Sequence, residues 1–167
     1  MNSVVEWYEK DDEESRLTTN KARKMEFIIS TKILDNFINF GDSILDVAAG
    51  TGVYSFYYAK KGHNVFAMDI TPKHIQIIKN KLCNEFKELH IKAEVNNAID
   101  LGMFEENVFN TVLCFGPIYH LIEVDERKKC IKECLRVLKK GGILAVAYIN
   151  KYYILPHILT GANRLVL

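Results

Sequence analysis

Five short stretches along the chain read as strands: Ile44 to Val47, Val65 to Met68, Ile91 to Val95, Thr111 to Phe115 and Ile143 to Ile149. Ile44, Leu45 and Val47 continue apolar instead of alternating, the pattern of a strand buried on both faces. Helix-forming stretches separate most of the runs. Strands that alternate with helices must form a parallel sheet covered on both sides, with right-handed crossovers. The expected fold is therefore α/β, a three-layer αβα sandwich with a mainly parallel sheet. In such a sheet a ligand sits at the carboxyl ends of the strands, beside the point where strand order reverses.

The helical stretches have their own signals. Lys21 to Asn39 reads as a helix, with Met25, Ile29, Ile33 and Phe37 recurring every fourth residue, Ile28 beside them, and Gly41 at its end. Val53 to Lys61 offers Phe56, Tyr57 and Ala59 for packing, and Gly62 is placed to cap it. Thr71 followed by Pro72 predicts an N-cap hydroxyl and a proline at the first helical position, ahead of Ile75, Ile78, Leu82 and Phe86 on one side. Asn96 to Asn110 reads as a loop with one helical turn. Glu126 to Lys139 predicts a helix with Cys130, Cys134, Leu135 and Leu138 inward, closed by Gly141-Gly142. No repeat, low-complexity tract or linker interrupts the chain. One domain over residues 1–167 is expected: an N-terminal helix region at 1–40, a core at 41–150 and a tail at 151–167.

Composition narrows the function classes. A chain of 167 residues can bury about two-thirds of its unfolded surface. A formal net charge of +1 gives no general pull toward nucleic acid or an acidic membrane. No leader opens the chain, and no apolar run approaches the length of a membrane span. Cys83, Cys114, Cys130 and Cys134 show no CxxC spacing, and the five histidines are scattered. Cys130 and Cys134, four residues apart, read as buried thiols. A reduced, cytoplasmic, metal-free protein follows as the expectation.

The most informative stretch is "SILDVAAGTG", Ser43 to Gly52. Asp46 ends the apolar run, and Ala48, Ala49, Gly50 and Gly52 carry almost no side chain, so the backbone can turn sharply and a ligand can approach it. Strand, small-residue turn and helix together aim helix N-terminal N–H groups at a ligand; the same turn also suits close packing alone. Asp69 closes the second run, where a carboxylate can accept hydrogen bonds from two ribose hydroxyls. The pair suits an adenosine-containing cofactor. A dinucleotide loop asks for G-x-G-x-x-G, and neither Ala48 to Val53 nor Gly50 to Ser55 closes with glycine. A pyrophosphate would also be repelled by Asp46, whereas a cationic ammonium or sulfonium would be attracted.

"LDVAAGTG" resembles the first motif of the class I S-adenosylmethionine-dependent methyltransferases, D/E-x-G-x-G-x-G after the first strand. "VFAMDITPKHI" resembles their second motif, "NAIDLGMF" their third-strand loop, "FNTVLCFGPIYHL" their fourth strand and its exit, and "CLRVLKKGGILAVAY" their closing helix and fifth strand. The resemblance spans about Ser43 to Ile149. The "GPIYHL" exit and the N-terminal "WYEKDDEESRL" are similar to bacterial members related to the menaquinone and ubiquinone C-methylases.

The resemblance implies a Rossmann-like sheet lacking its usual last two strands, with S-adenosyl-L-methionine as cofactor. It implies that Asp46 and the backbone at Ala48, Ala49 and Gly50 hold the methionine portion, with Gly52 in the same turn. Asp69 takes the ribose hydroxyls, Ile70 packs on the adenine, Asn97 and Ala98 meet its edge, and Phe115 lines the fourth-strand side. Ala48 departs from the family's first glycine, and Asn97 from a frequent aspartate.

Tyr119 and His120 are candidates for substrate contact or base, against packing of Tyr119 and simple lining by His120. Tyr8, Glu14 and Arg16 suit a lid, and equally a frayed terminus. The expected activity is methyl transfer to a small-molecule acceptor, with no membrane partner. The position of the amino-methylase [DN]PPY signature reads Phe115-Gly116-Pro117-Ile118, which disfavours nucleic acid. The rival readings are an idle cofactor-binding fragment or partner subunit, an RNA methyltransferase, and an NAD-dependent oxidoreductase. An open strand edge would allow a homo-oligomer.

Overall fold

The structure is a computed structural model describing residues 21–150, with side chains from residue 24 onward. The lid candidates Tyr8, Glu14 and Arg16 and the 151–167 tail lie outside the described residues. In chain order the elements are α1 (Lys21–Leu34), β1 (Ser43–Val47), α2 (Val53–Lys60), β2 (Asn64–Asp69), α3 (Pro72–Asn84), β3 (Ile91–Val95), β4 (Phe109–Phe115), α4 (Pro117–His120), α5 (Val124–Val137) and β5 (Leu138–Ala147). The five strands form one sheet of order β3-β2-β1-β4-β5, with every neighbouring pair parallel. This is the expected α/β architecture. The order reverses between β1 and β4, so the carboxyl ends of β1, β2 and β4 open onto one crevice.

β1 is central because it can be dry on both sides. Ile44, Leu45 and Val47 are wholly buried, and the strand pairs β2 on one flank and β4 on the other. One layer of core joins Leu45, Val47 and Met68 to Val112, Cys114 and the inward side of α5. On the opposite side Ile44 and Leu113 meet Tyr54 and Tyr58 of α2, while Ile75 and Ile78 of α3 pack with Phe56 and Ala67.

Four expectations need correction. First, α1 stops at Leu34, and its apolar row Met25, Ile28, Ile29 and Ile33 faces outward, as does Phe37. The helix docks instead through Phe27, Thr31 and Leu34, which share another face at i, i+4 and i+7. Phe27 sets its ring against Tyr54 and Tyr57, and Thr31 satisfies its hydroxyl on the Phe27 carbonyl at 2.8 Å.

Second, α5 ends two residues early and β5 begins at Leu138, so Gly141-Gly142 lies within the strand and closes no helix. Register with β4 jumps from Phe109–Leu138 to Thr111–Ile143, which accommodates extra residues on β5. Gly141 has φ +77°, and a Cβ on Gly142 would meet the Asn110 carbonyl at 2.6 Å. Both glycines therefore serve the irregularity. Third, Leu135 is exposed, while Cys130, Cys134 and Leu138 are buried as expected. Fourth, Thr71 occupies the N-cap of α3 without using its hydroxyl as a cap, and that hydroxyl finds no hydrogen-bond partner among the described residues.

Candidate functional site

A cavity of about 410 Å³ opens at the switch point. It gathers Asp46, Ala48, Ala49, Gly50, Asp69, Ile70, Asn97, Ala98, Phe115, Tyr119 and His120 into one lining. Gly52 alone of the candidates is absent from it. At φ +84° Gly52 caps the start of α2, and a Cβ there would press on Ile78 at 2.9 Å.

The turn after β1 is tighter than a simple anion cradle. The Ala49 N–H donates to the Met68 carbonyl at 2.8 Å, Gly50 N–H to Asp69 Oδ2 at 2.9 Å, and Gly52 N–H to the Ala49 carbonyl at 2.9 Å. These three turn N–H groups are thus taken up within the protein. Ala48 sits at φ +65°, the left-handed region where glycine is at ease, and Gly50 at +55°. The family's glycine at Ala48 answers this backbone requirement.

The two carboxylates are set in opposite states. Asp46 is 2% exposed and accepts hydrogen bonds from Ser55 Oγ at 2.6 Å and from the Ser55 backbone N–H. Burial pushes its pKa up to about 7; the Ser55 hydroxyl opposes that rise and the Asp69 charge adds to it. Asp69 is 6% exposed, and burial pushes it upward too. There the hydrogen bonds win: His74 Nδ1 lies 3.2 Å from Oδ1, Thr71 N–H donates to Oδ1 at 2.8 Å, and Gly50 N–H donates to Oδ2. Together they hold Asp69 below the ordinary carboxylate range. One acid is firmly ionised, and its neighbour is poised near neutrality.

Asn97 is more constrained than expected, since its side-chain oxygen already accepts the Ile99 N–H at 3.1 Å. Tyr119 and His120 sit on the one-turn helix α4, with ring centroids 4.7 Å apart. Gly116, at φ +145°, turns the chain from β4 into that helix.

Folding adds residues that the sequence reading missed. His74 arrives on the first turn of α3, and its spacing from Asp69 across Thr71-Pro72 was the available signal. Glu26 of α1 and Glu123 and Glu126 near the start of α5 reach the cavity from distant parts of the chain, with no local motif to mark them. Tyr54 joins the lining and packs its ring on Phe115 at 4.9 Å.

Comparison with known proteins agrees with this geometry. A methyltransferase-domain family model matches residues 44–142. A ubiquinone/menaquinone biosynthesis C-methyltransferase of Neisseria meningitidis serogroup B is 33% identical over 117 residues, covering 68% of this chain and 45% of that protein. The chain thus spans less than half the length of that curated relative. The crystal structure of the PH0226 protein from Pyrococcus horikoshii OT3 superposes with a TM-score of 0.74 at 24% identity, over 92% of this chain and 70% of the other. A SAM-dependent methyltransferase from Methanosarcina mazei gives a TM-score of 0.58 at 29% identity, over 64% and 52%. With the family model spanning more than half of the sequence, and the parallel sheet and its crevice in agreement, this chain belongs to the methyltransferase-domain family.

Proposed function

We propose that the cavity binds S-adenosyl-L-methionine and that the domain directs its methyl group to a small-molecule acceptor. The observation that carries this reading is the pair of unlike acids on adjacent strand ends. Asp46 offers a buried negative charge to a cation, and Asp69 offers an ionised acceptor suited to vicinal hydroxyls. The names of the relatives support the cofactor and the class of acceptor.

The bound cofactor would supply an already activated methyl on a sulfonium centre. The protein's work is then mainly alignment, which contributes several kcal/mol, at most about 7–11, in well-oriented systems. Asp46 and the Ala48–Gly50 backbone would hold the amino-acid end, where an ionised Asp46 would face its positive charge. Asp69 keeps its Gly50, Thr71 and His74 partners and uses remaining lone pairs for the ribose. Ile70 would pack on the base, Asn97 and Ala98 would meet its edge, and Phe115 would line the β4 side. Tyr119 and His120, on the rim at the β4 exit, face the acceptor; if that acceptor carries a hydroxyl or an acidic C–H, the His120 imidazole is the group to take its proton.

Calorimetry with S-adenosylmethionine, sinefungin and NADH tests the cofactor. Saturable binding of the first two and none of NADH is the expected result; binding of NADH alone would overturn it. Asp69→Asn leaves one acceptor oxygen for donors on both sides, so it should loosen the Gly50 turn and lower cofactor affinity by about tenfold or more. Mass spectrometry over a panel of quinone, phenol and amine acceptors tests turnover.

A further inference from the structure

The connection from β3 to β4, residues 96–108, holds neither helix nor strand. A loop of this length inside a compact domain is usually functional, and its first part, Asn96, Asn97 and Ala98, lines the cavity. Two side chains near the end of α5 grip its middle. The Leu101 N–H donates to Glu133 Oε2 at 3.1 Å, and the Leu101 carbonyl accepts from Arg136 Nη2 at 2.9 Å. Arg136 Nη1 donates to the Phe104 carbonyl at 2.9 Å. The two side chains are also locked to each other, Nε to Oε1 at 2.9 Å and Nη2 to Oε2 at 2.8 Å. One ion pair thus satisfies an amide and two carbonyls of a loop that has no ladder of its own. The Arg136 guanidinium holds the Glu133 carboxyl below the ordinary carboxylate range.

Neither residue of the pair lines the cavity, yet the clamp stands one tight turn away from it. The Asp100 N–H donates to the Asn97 carbonyl at 2.9 Å, the Ile99 N–H donates to the Asn97 side chain at 3.1 Å, and Leu101 is wholly buried. Such a turn has little slack, so a shift at Leu101 carries Asn97 and Ala98 with it. We propose that Glu133 and Arg136 are positioning residues for base recognition: by fixing Leu101 and Phe104 they set where Asn97 and Ala98 stand against the edge of the purine. This role rests on the cofactor reading above and extends it to two residues outside the cavity. Only a planar fork reaches both carbonyls and the carboxylate at once; a lysine ammonium keeps the charge and loses that geometry. The coupling is reciprocal, so a bound adenine steadies the clamp in turn.

Calorimetry of the full chain with S-adenosylhomocysteine and S-inosylhomocysteine, which differ only on the hydrogen-bonding edge of the purine, reads the effect. The unmodified protein should favour the adenine ligand by about tenfold or more, the effect of one unmade hydrogen bond. Arg136→Lys should weaken S-adenosylhomocysteine by about tenfold and leave the inosine ligand little changed, so that the preference collapses. A purely structural role would weaken both ligands alike and keep their ratio. Lys128→Ala, which opens the exposed pair with Asp125 on the same helix, should alter neither affinity. No preference for the adenine ligand in the unmodified protein, an unchanged ratio in Arg136→Lys, or an equal shift in Lys128→Ala overturns the positioning role alone. Binding of neither ligand overturns the cofactor reading and this role with it. If Arg136→Lys does not fold, hydrogen exchange in the unmodified protein decides. S-adenosylhomocysteine should then slow the Leu101 and Phe104 amides more than the inosine ligand does, and equal protection overturns the role.

Discussion

Asp46 shows how one residue can trade stability for readiness to bind. Its pKa of about 7 stands above the 3.8 of an unperturbed aspartate, so the folded protein keeps a proton that the unfolded chain releases. Stability contributed by this group is therefore full below about pH 4 and declines as pH rises toward 7. Affinity for a cation runs the other way, rising through pH 7 as the carboxylate ionises. Asp46→Asn keeps a partner for Ser55 and should flatten both profiles, measured by thermal unfolding and calorimetry across pH 4 to 8. Ala48 carries a different strain. At φ +65° its Cβ is disfavoured, so Ala48→Gly should raise stability by up to about 1 kcal/mol in chemical denaturation. The need for small residues at this turn was readable in "AAGTG", but which of them lies in the left-handed region was not.

At the scale of elements, strand identity proved more legible than helix orientation. β1 carries its apolar run where expected, because burial on both faces leaves only one reading of residues such as Ile44 and Val47, and β3 spans its expected residues as an edge strand with only Ala93 buried. α1 failed in orientation. A four-residue apolar spacing predicts a face, yet docking was decided by the ring pocket that Tyr54 and Tyr57 offer to Phe27. The α5–β5 junction failed in register, since Gly141-Gly142 looks the same whether it ends a helix or admits a close strand neighbour. That neighbour makes a clear prediction. In Gly142→Ala the new methyl would press on the Asn110 carbonyl, which belongs to backbone and cannot swing away. A loss of about 1–3 kcal/mol is expected in urea unfolding, with Lys140→Ala, at an exposed neighbouring position, as the near-neutral control.

At the scale of the molecule, the cavity is a property of strand order. β1 must stand between β2 and β4 for Asp46, Asp69 and Phe115 to face one space. A ligand gripping these strand ends stabilises the native state by mass action, about 2.7 kcal/mol at one hundred times its Kd. S-adenosylmethionine at that concentration should raise Tm by about 5–11 °C in a thermal scan, and Asp46→Lys should abolish most of the shift. Among the described residues no helix is long and apolar enough to cross a membrane. The amino-acid sequence by itself determined the sheet class, the strand ends and part of the lining, because buried strands and tight turns restrict side chains locally and leave a linear trace. Only tertiary structure decided that Asp46 is sealed from water and that Glu26 and Glu126 share one cavity. Each of these depends on the distance between groups remote along the chain and on the water excluded between them, and neither quantity is written in the order of residues.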